Sequence, residues 1–364
     1  MSVLWLVVLT ALFGAAQALL FAWFNYKQLS YNRYFAKNTA FRGEQTELIE
    51  RIRNEKLLPV PWLRAESRIP EAIVFSADEG EKQQDETSGM YHKSLFFLSP
   101  MCAITRHHMI TLAKRGVFDA GGVALTVGDL FGLNKKTRLL NLDCSITVYP
   151  ELPGNDDIPD PANKFLGDAL VKRWIMPDPF LVSGIRPYAQ GDSLKDIHWK
   201  ASAKSEGLQV KVRDFTSDPK ALVILNIQIN PRQWAQVPTH EEENVERAIS
   251  LAAGICLRAI KSGMSAGFAC NAEMLGREKA ATGIFLASAP GEAQFEGILE
   301  TMARIVLKPD LNFHTFLSGL GDVHGEDILI LSGYLSEEVE HEIALLRQKG
   351  NTVKVLSLSG REIR

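Results

Sequence analysis

The run "ALVILNIQI", Ala221 to Ile229, decides the fold of the second half of this chain. It is rich in Leu, Ile and Val and lacks the strict alternation of a half-exposed strand, the pattern required of a strand buried on both faces of a parallel sheet. A helix must then carry the chain back. In "EEENVERAISLAAGICLRAIKSG", Val245, Ile249, Ala252, Ala253, Cys256 and Ile260 recur at helical spacing, acidic residues fill the first turn, and Gly263 can end it. Downstream, "SAGFAC" and "TGIFLAS" read as strands, "GEAQFEGILETMARIV" as a helix and "EDILILS" as another central strand. Ser336 opens a further helix with Val339, Ile343 and Leu346 on one face, Gly350 closes it, and "NTVKVLSL" is a last strand. Strands alternating with helices predict a doubly wound α/β domain over residues 219–364.

Upstream the pattern changes. From about Phe41 to Pro150, short alternating runs such as "SLFFLSP", "AITRHHMITLA" and "CSITVYP" are separated by Gly, Asn, Asp and Pro, which predicts an antiparallel β-sandwich over residues 27–150. Inside it, "SADEGEKQQDETSGM", Ser76 to Met90, is acidic and poor in apolar residues and reads as an exposed loop. "PELPGNDDIPDP", Pro150 to Pro161, is too dense in Pro, Gly and Asp for a regular element and marks a boundary, so that residues 151–218 form a connecting segment. The whole reads as an α+β multidomain chain.

At the N-terminus, "VLWLVVLTALFGAAQALLFAWF", Val3 to Phe24, is apolar and long enough as a helix to span about 30 Å of hydrocarbon. Ala16-Gln17-Ala18 has the form of a signal cleavage site, but no basic residue precedes the run and the apolar stretch continues past it. The expectation is a retained transmembrane anchor over residues 1–26. Lys27, Arg33, Lys37 and Arg42 follow it, which puts a single-pass protein in the cell membrane with its bulk in the cytoplasm.

With 364 residues, 46% hydrophobic and 23% charged, and a formal charge of -3, the chain is ordered and near neutral, and nucleic acid is not expected as a partner. Cys102, Cys144, Cys256 and Cys270 form no C-x-x-C pair and read as buried structural thiols in a reducing compartment. His107 and His108 are adjacent in a strand, should face opposite ways, and cannot share one metal. No phosphate loop, G-x-S-x-G elbow or H-E-x-x-H occurs.

Between the boundary and the first buried strand lies "GIRPYAQGDSLKDIHWKASAKSEGLQVKVRDF", Gly184 to Phe215, with six basic and four acidic residues around a Gly-Asp turn and a Trp. Ser193-x-x-Asp196 has the form of a capping box, after which Leu194, Ile197 and Ala201 would share one helical face. Two readings stand side by side. In one the segment is a clasp, with Arg186 and Asp192 satisfying each other. In the other, Arg186, Lys195, Lys200, Lys204, Lys211 and Arg213 outnumber Asp192, Asp196, Glu206 and Asp214 and receive an acidic partner or an anion.

This segment resembles the signature of the bacterial family called domain of unknown function 58, carried here by Arg186, Tyr188, Gly191, Asp192, Ile197, His198, Trp199, Ala201 and Ala203. "FRGEQTELIERIRNEKLLPVPWL" (Phe41 to Leu63) and "KRGVFDAGGVALTVGDLFGL" (Lys114 to Leu133) extend the likeness over most of the chain. Lys204 stands where the family would carry Arg, which keeps the charge and loses the planar fork. The resemblance implies a C-terminal domain like von Willebrand factor type A, and a MoxR-type AAA+ ATPase as partner. Such domains often hold a divalent metal on a D-x-S-x-S motif. Here that place reads Asn226-Ile227-Gln228-Ile229-Asn230, and a later one offers Ser332-Gly333, so hard cations find no carboxylate and no metal or other cofactor is expected.

The function expected is therefore non-catalytic binding and assembly. Its binding residues would be Arg186, Tyr188, Gly191, Asp192, Ile197, His198, Trp199 and Lys204. The alternative is an enzyme, a hydrolase with its site around Asp192, His198 and Lys204.

Overall fold

A computed structural model of the chain describes residues 2–24, 28–76, 83–84, 90–129, 135–175, 182–205, 207–213, 219–277 and 282–358. It divides into two units, Met1–Glu151 and Leu152–Arg364, and mixes α and β elements throughout.

The first unit opens with helix α1, Ser2–Phe24. Among the described residues no helix is long and apolar enough to cross a membrane. This corrects the expected anchor over residues 1–26, and with it the single-pass location in the cell membrane.

Among the described residues twelve strands follow: β1 (Leu29–Phe35), β2 (Thr39–Phe41), β3 (Gln45–Asn54), β4 (Val60–Ile69), β5 (Ile73–Phe75), β6 (Gln83–Gln84), β7 (Met90–Leu98), β8 (Ala103–Leu112), β9 (Gly116–Asp119), β10 (Gly122–Gly128), β11 (Lys135–Asn141) and β12 (Ser145–Tyr149). They form one sheet in the order β1-β3-β8-β5, a second in the order β11-β10-β4-β7-β6, and a small third, β2-β12-β9. Pairing is antiparallel except between β12 and β2. Most of the acidic loop Ser76–Met90 lies outside the described residues.

Strand alternation sends every second side chain inward, and the two larger sheets meet through two apolar clusters. One joins Tyr31 and Ile52 to Leu63, Phe96, Leu98 and Leu125. The other joins Phe35, Leu48 and Ile110 to Ile69, Phe75 and Ile146. Along β1, Arg33 falls between Tyr31 of one cluster and Phe35 of the other. Along β3, Glu50 falls between Ile52 and Leu48. Both are buried, so a charged layer separates the two halves of the core. Cys144 is buried as expected of a structural thiol; Cys102, beside the turn residue Met101, is exposed instead.

The second unit begins with α2 (Asp160–Ile175) and a ribbon made of β13 (Val182–Pro187) and β14 (Gln209–Arg213), with the short helix α3 (Trp199–Ser202) between its strands. Next come β15 (Lys220–Leu225), α4 (Thr239–Lys261), β16 (Ser265–Cys270), β17 (Ala272–Met274), β18 (Ile284–Ala289), α5 (Glu292–Ala303), β19 (Ile305–Pro309), α6 (Phe313–Gly319), β20 (Asp327–Leu331), α7 (Glu337–Gln348) and β21 (Thr352–Leu356). The main sheet runs β18-β16-β15-β20-β21. It is parallel except for the edge strand β18, and β15, from the decisive apolar run, lies at its centre.

On one face Leu222 and Ile224 pack with Phe313 and Phe316 of α6 and Val339, Ile343 and Leu346 of α7. Alternation turns Ala221, Val223 and Leu225 to the other face, and α4 packs on β15 and β16 through Val245, Ile249, Ala252 and Cys256. Covering both faces is what allows β15 to be apolar throughout. Gly254 inside α4 has a steric reason, since a Cβ there would lie 2.5 Å from the Pro153 ring. The turn after α4 uses Gly263 at φ +79°.

Candidate functional site

The signature segment folds as the excursion between β13 and β14. Its backbone is sewn to β14: Tyr188 N–H donates to Leu208 O at 2.8 Å, His198 N–H donates to Gln209 O at 2.8 Å, and Ile197 bridges Val210. The Ser202 hydroxyl accepts from Gln209 N–H at 2.8 Å and donates to His198 O at 3.1 Å. The turn that reverses the chain needs Gly191, whose φ of +110° a side chain would strain.

Arg186 and Asp192 clamp this turn. Arg186 Nη1 donates to Asp192 Oδ2 at 2.7 Å and Nη2 donates to Oδ1 at 2.6 Å, a bidentate pair, and Oδ2 also accepts from Ala189 N–H at 2.8 Å. The Arg186 hydrogen bond and the Ala189 amide hold the Asp192 carboxyl down to about 2, and the same pairing raises Arg186. Both carboxylate oxygens of Asp192 are thus committed.

The remaining signature residues divide between anchoring and display. Ile197 is buried against Val210, while His198 Nδ1 accepts from Ala201 N–H at 3.1 Å and caps α3. Trp199 is 68% exposed, and Leu194, Ile185, Tyr188, Leu208 and Val212 are exposed on the same ribbon. Lys195, Lys200 and Lys204 are exposed as well. The expected single helical face of Leu194, Ile197 and Ala201 does not form. Ser193 caps a 3-10 turn, Leu194–Asp196, and Ile197 then takes an extended conformation, φ −63° and ψ 128°, to reach β14. That break in phase turns Leu194 outward. Asp192, His198 and Lys204 are not brought together as a catalytic group: no hydrogen bond links them among the described residues.

A second constellation sits beyond the carboxyl ends of β15, β16 and β20, where open α/β sheets bind ligands. Asn226, Gln228, Asn271 and Ser332 are all fully buried there. Asn226 Nδ2 donates to Ser332 Oγ at 2.9 Å, and Asn271 Nδ2 donates to Asn226 Oδ1 at 3.0 Å. Gln228 Oε1 accepts from Phe313 N–H at 2.8 Å and from Tyr334 OH at 3.3 Å. Asn271 Oδ1 accepts from Ile227 N–H at 2.9 Å. Amides here bond one another and the surrounding backbone, closing the ends of three strands with neutral groups. Among them Asn271 and Tyr334 have no place in the D-x-S-x-S comparison and only the fold reveals their part.

Sequence reading also passed over a cluster in the first unit: Glu50, His92 and His108, from β3, β7 and β8. His107 points out to Glu47 at 2.8 Å, whereas His108 points in, with Nε2 3.2 Å from Glu50 Oε2. Burial pushes His92 down to about 4. For Glu50 burial acts upward, but the His108 hydrogen bond and the Arg33 charge outweigh it and hold the carboxyl down to about 2. The available signal was in "TELIERIRN", where Glu50 shares the inward phase of Leu48 and Ile52.

Residues 184–362 match the model of the family described as "Protein of unknown function DUF58". The chain is 22% identical over 313 residues to a Bacillus subtilis (strain 168) protein described as "Uncharacterized protein YeaD", covering 85% of this chain and 71% of that protein. Among solved structures, a CARDB domain from Pyrococcus furiosus matches at 12% identity and a TM-score of 0.21, over 33% of this chain and 91% of that one. The sporulation control protein Spo0M from Bacillus subtilis matches at 14% identity and a TM-score of 0.19, over 44% and 58%. Likenesses this low carry no argument about either unit.

Proposed function

We propose, for a chain whose residues 184–362 belong to the family described as Protein of unknown function DUF58, that the second unit is a protein-docking module that works without catalysis. The observation that carries this reading is Trp199, 68% exposed on a ribbon whose turn is clamped by Arg186 and Asp192. A large aromatic left in water on a rigid support loses little conformational freedom when a partner covers it, and Trp is enriched among residues that dominate binding. Lys195, Lys200 and Lys204 around it favour a partner with acidic residues.

The partner proposed is a MoxR-type AAA+ ATPase, which rests on the family resemblance of the signature, with an assembly role as the outcome. The hydrolase alternative draws no support from the committed carboxylate of Asp192 or from His198, whose Nδ1 caps a helix. Co-purification with the ATPase of the same cell, in ATP, in ADP and without nucleotide, tests the reading. Capture in at least one state that weakens with Trp199→Ala supports it; no capture in any state removes it.

A further inference from the structure

The charged layer of the first unit is built like a coordination site. Glu50 is fully buried, and His108 and His92 are nearly so. One ligand atom from each lies within 4.8 Å of the other two. The two imidazoles meet edge to face at 4.8 Å, and Phe75 stacks on His92 at 4.5 Å and closes on His108 edgewise at 5.9 Å, so an aromatic wall bounds the cluster. We infer that Glu50, His92 and His108 form a binding site for a transition-metal dication of the zinc class.

The donor set selects the ion. Two imidazoles and one carboxylate are the ligands of a three-coordinate protein site that leaves a fourth position for a ligand from solution. Calcium and magnesium would need several oxygens, and this cluster offers one carboxylate. The outer groups fit the same role. Tyr31 OH donates to Glu50 Oε1 at 2.8 Å and Arg33 Nη2 lies 3.0 Å from that oxygen, which leaves Oε2 to face His108. Ser94 Oγ sits 2.9 Å from His92 Nε2 and can fix the tautomer of the ring. Hydrogen-bonding partners such as Tyr31 and Ser94 hold metal ligands in position.

Charge sets the limits of the site. Arg33 already neutralises Glu50, so a dication brings net positive charge into a buried layer, and an anion such as hydroxide or chloride is the fitting fourth ligand. It follows that removing the Arg33 charge should strengthen metal binding, an effect opposite to simple loss of structure.

The test uses the full-length protein and Co²⁺, whose visible absorption reports low-coordinate nitrogen and oxygen ligation. Wild type should bind one Co²⁺ per chain with those bands, displaced by Zn²⁺. His92→Gln and His108→Gln should each weaken binding at least a hundredfold, His107→Gln should leave it unchanged, and Arg33→Gln should tighten it at least tenfold. A measurement without variants stands beside these: in histidine-labelled wild type, Zn²⁺ should shift the ring resonances of His92 and His108 and not of His107. Absence of the bands, their survival in His92→Gln, their loss in His107→Gln, unchanged affinity in Arg33→Gln, or unshifted inner rings would each overturn the assignment.

Discussion

Arg186 and Asp192 face each other through two parallel hydrogen bonds of 2.7 and 2.6 Å across the Gly191 turn. The pair is exposed, so its value lies in geometry: it fixes the direction in which the turn presents its neighbours. Asp192→Asn removes the charge and one acceptor. Partner capture is expected to fall several-fold while the thermal midpoint stays within error of wild type, measured by pulldown and calorimetry side by side. A capture unchanged by the substitution would leave the clamp without a part in docking.

The same carboxyl gives a pH expectation. Its folded value is lowered from 3.8 to about 2, so its contribution is fully present above 3.8 and is lost only as pH falls through about 2. Binding through the ribbon should therefore be flat between pH 7 and pH 4, as far as Asp192 governs it. A midpoint near 6 in a binding titration would point to another group.

Trp199→Ala should cost about 2 kcal/mol of binding, roughly a thirtyfold rise in Kd. Because the side chain is exposed, the stability change should stay within about 0.5 kcal/mol. The split between the two measurements is what identifies a docking residue; equal losses in both would identify a packing one.

Asn271→Leu should destabilise the second unit by about 3 kcal/mol or more. The change leaves Ile227 N–H, Asn226 Oδ1 and Gln228 Oε1 short of a buried partner at once. Denaturant unfolding measures it, and a loss under about 1 kcal/mol would mean that water restores the bonds.

Arg33→Met in metal-free protein should cost about 3 to 5 kcal/mol, since Glu50 would keep a buried charge without its cation. Arg33→Met combined with Glu50→Leu should recover a large part of that loss. A double variant as unstable as the single one would show that hydrogen bonds of the layer matter more than the charge pair.

The second unit was readable where burial imposes a period. Val339, Ile343 and Leu346 mark α7, and the unbroken run Ala221 to Leu225 marks the central strand, because packing on both faces leaves no other pattern. What escaped were features that depend on which strands end up adjacent. The β17–β19 ribbon and α6 have no periodic signature of their own, and β18, read as a strand from "TGIFLAS", gave no sign that it would run antiparallel at the edge. The part that Asn271 plays beside Asn226 also appears only once β15 and β16 pair. At the N-terminus apolarity and length together suggested an anchor, whereas among the described residues no helix is long and apolar enough to cross a membrane. In the signature, Arg186 and Asp192 could be matched by charge, while the outward turn of Leu194 followed from an extended Ile197 that a capping box does not reveal.

The charged layer has a further consequence for how the sandwich finds its pairing. Alternation of apolar and polar side chains rejects a strand that slips by one residue, but it is blind to a slip of two, which returns the same faces inward. Glu50 and Arg33 remove that blindness. Were β3 to move two residues along β1, Glu50 would lie opposite Tyr31 or Phe35 and Arg33 opposite Leu48 or Ile52, so that Arg33 would lose its counter-ion, at a cost of several kcal/mol. A charge in the middle of the core thus acts as a ruler, distinguishing the native pairing from the nearest alternative that greasy surfaces alone would accept.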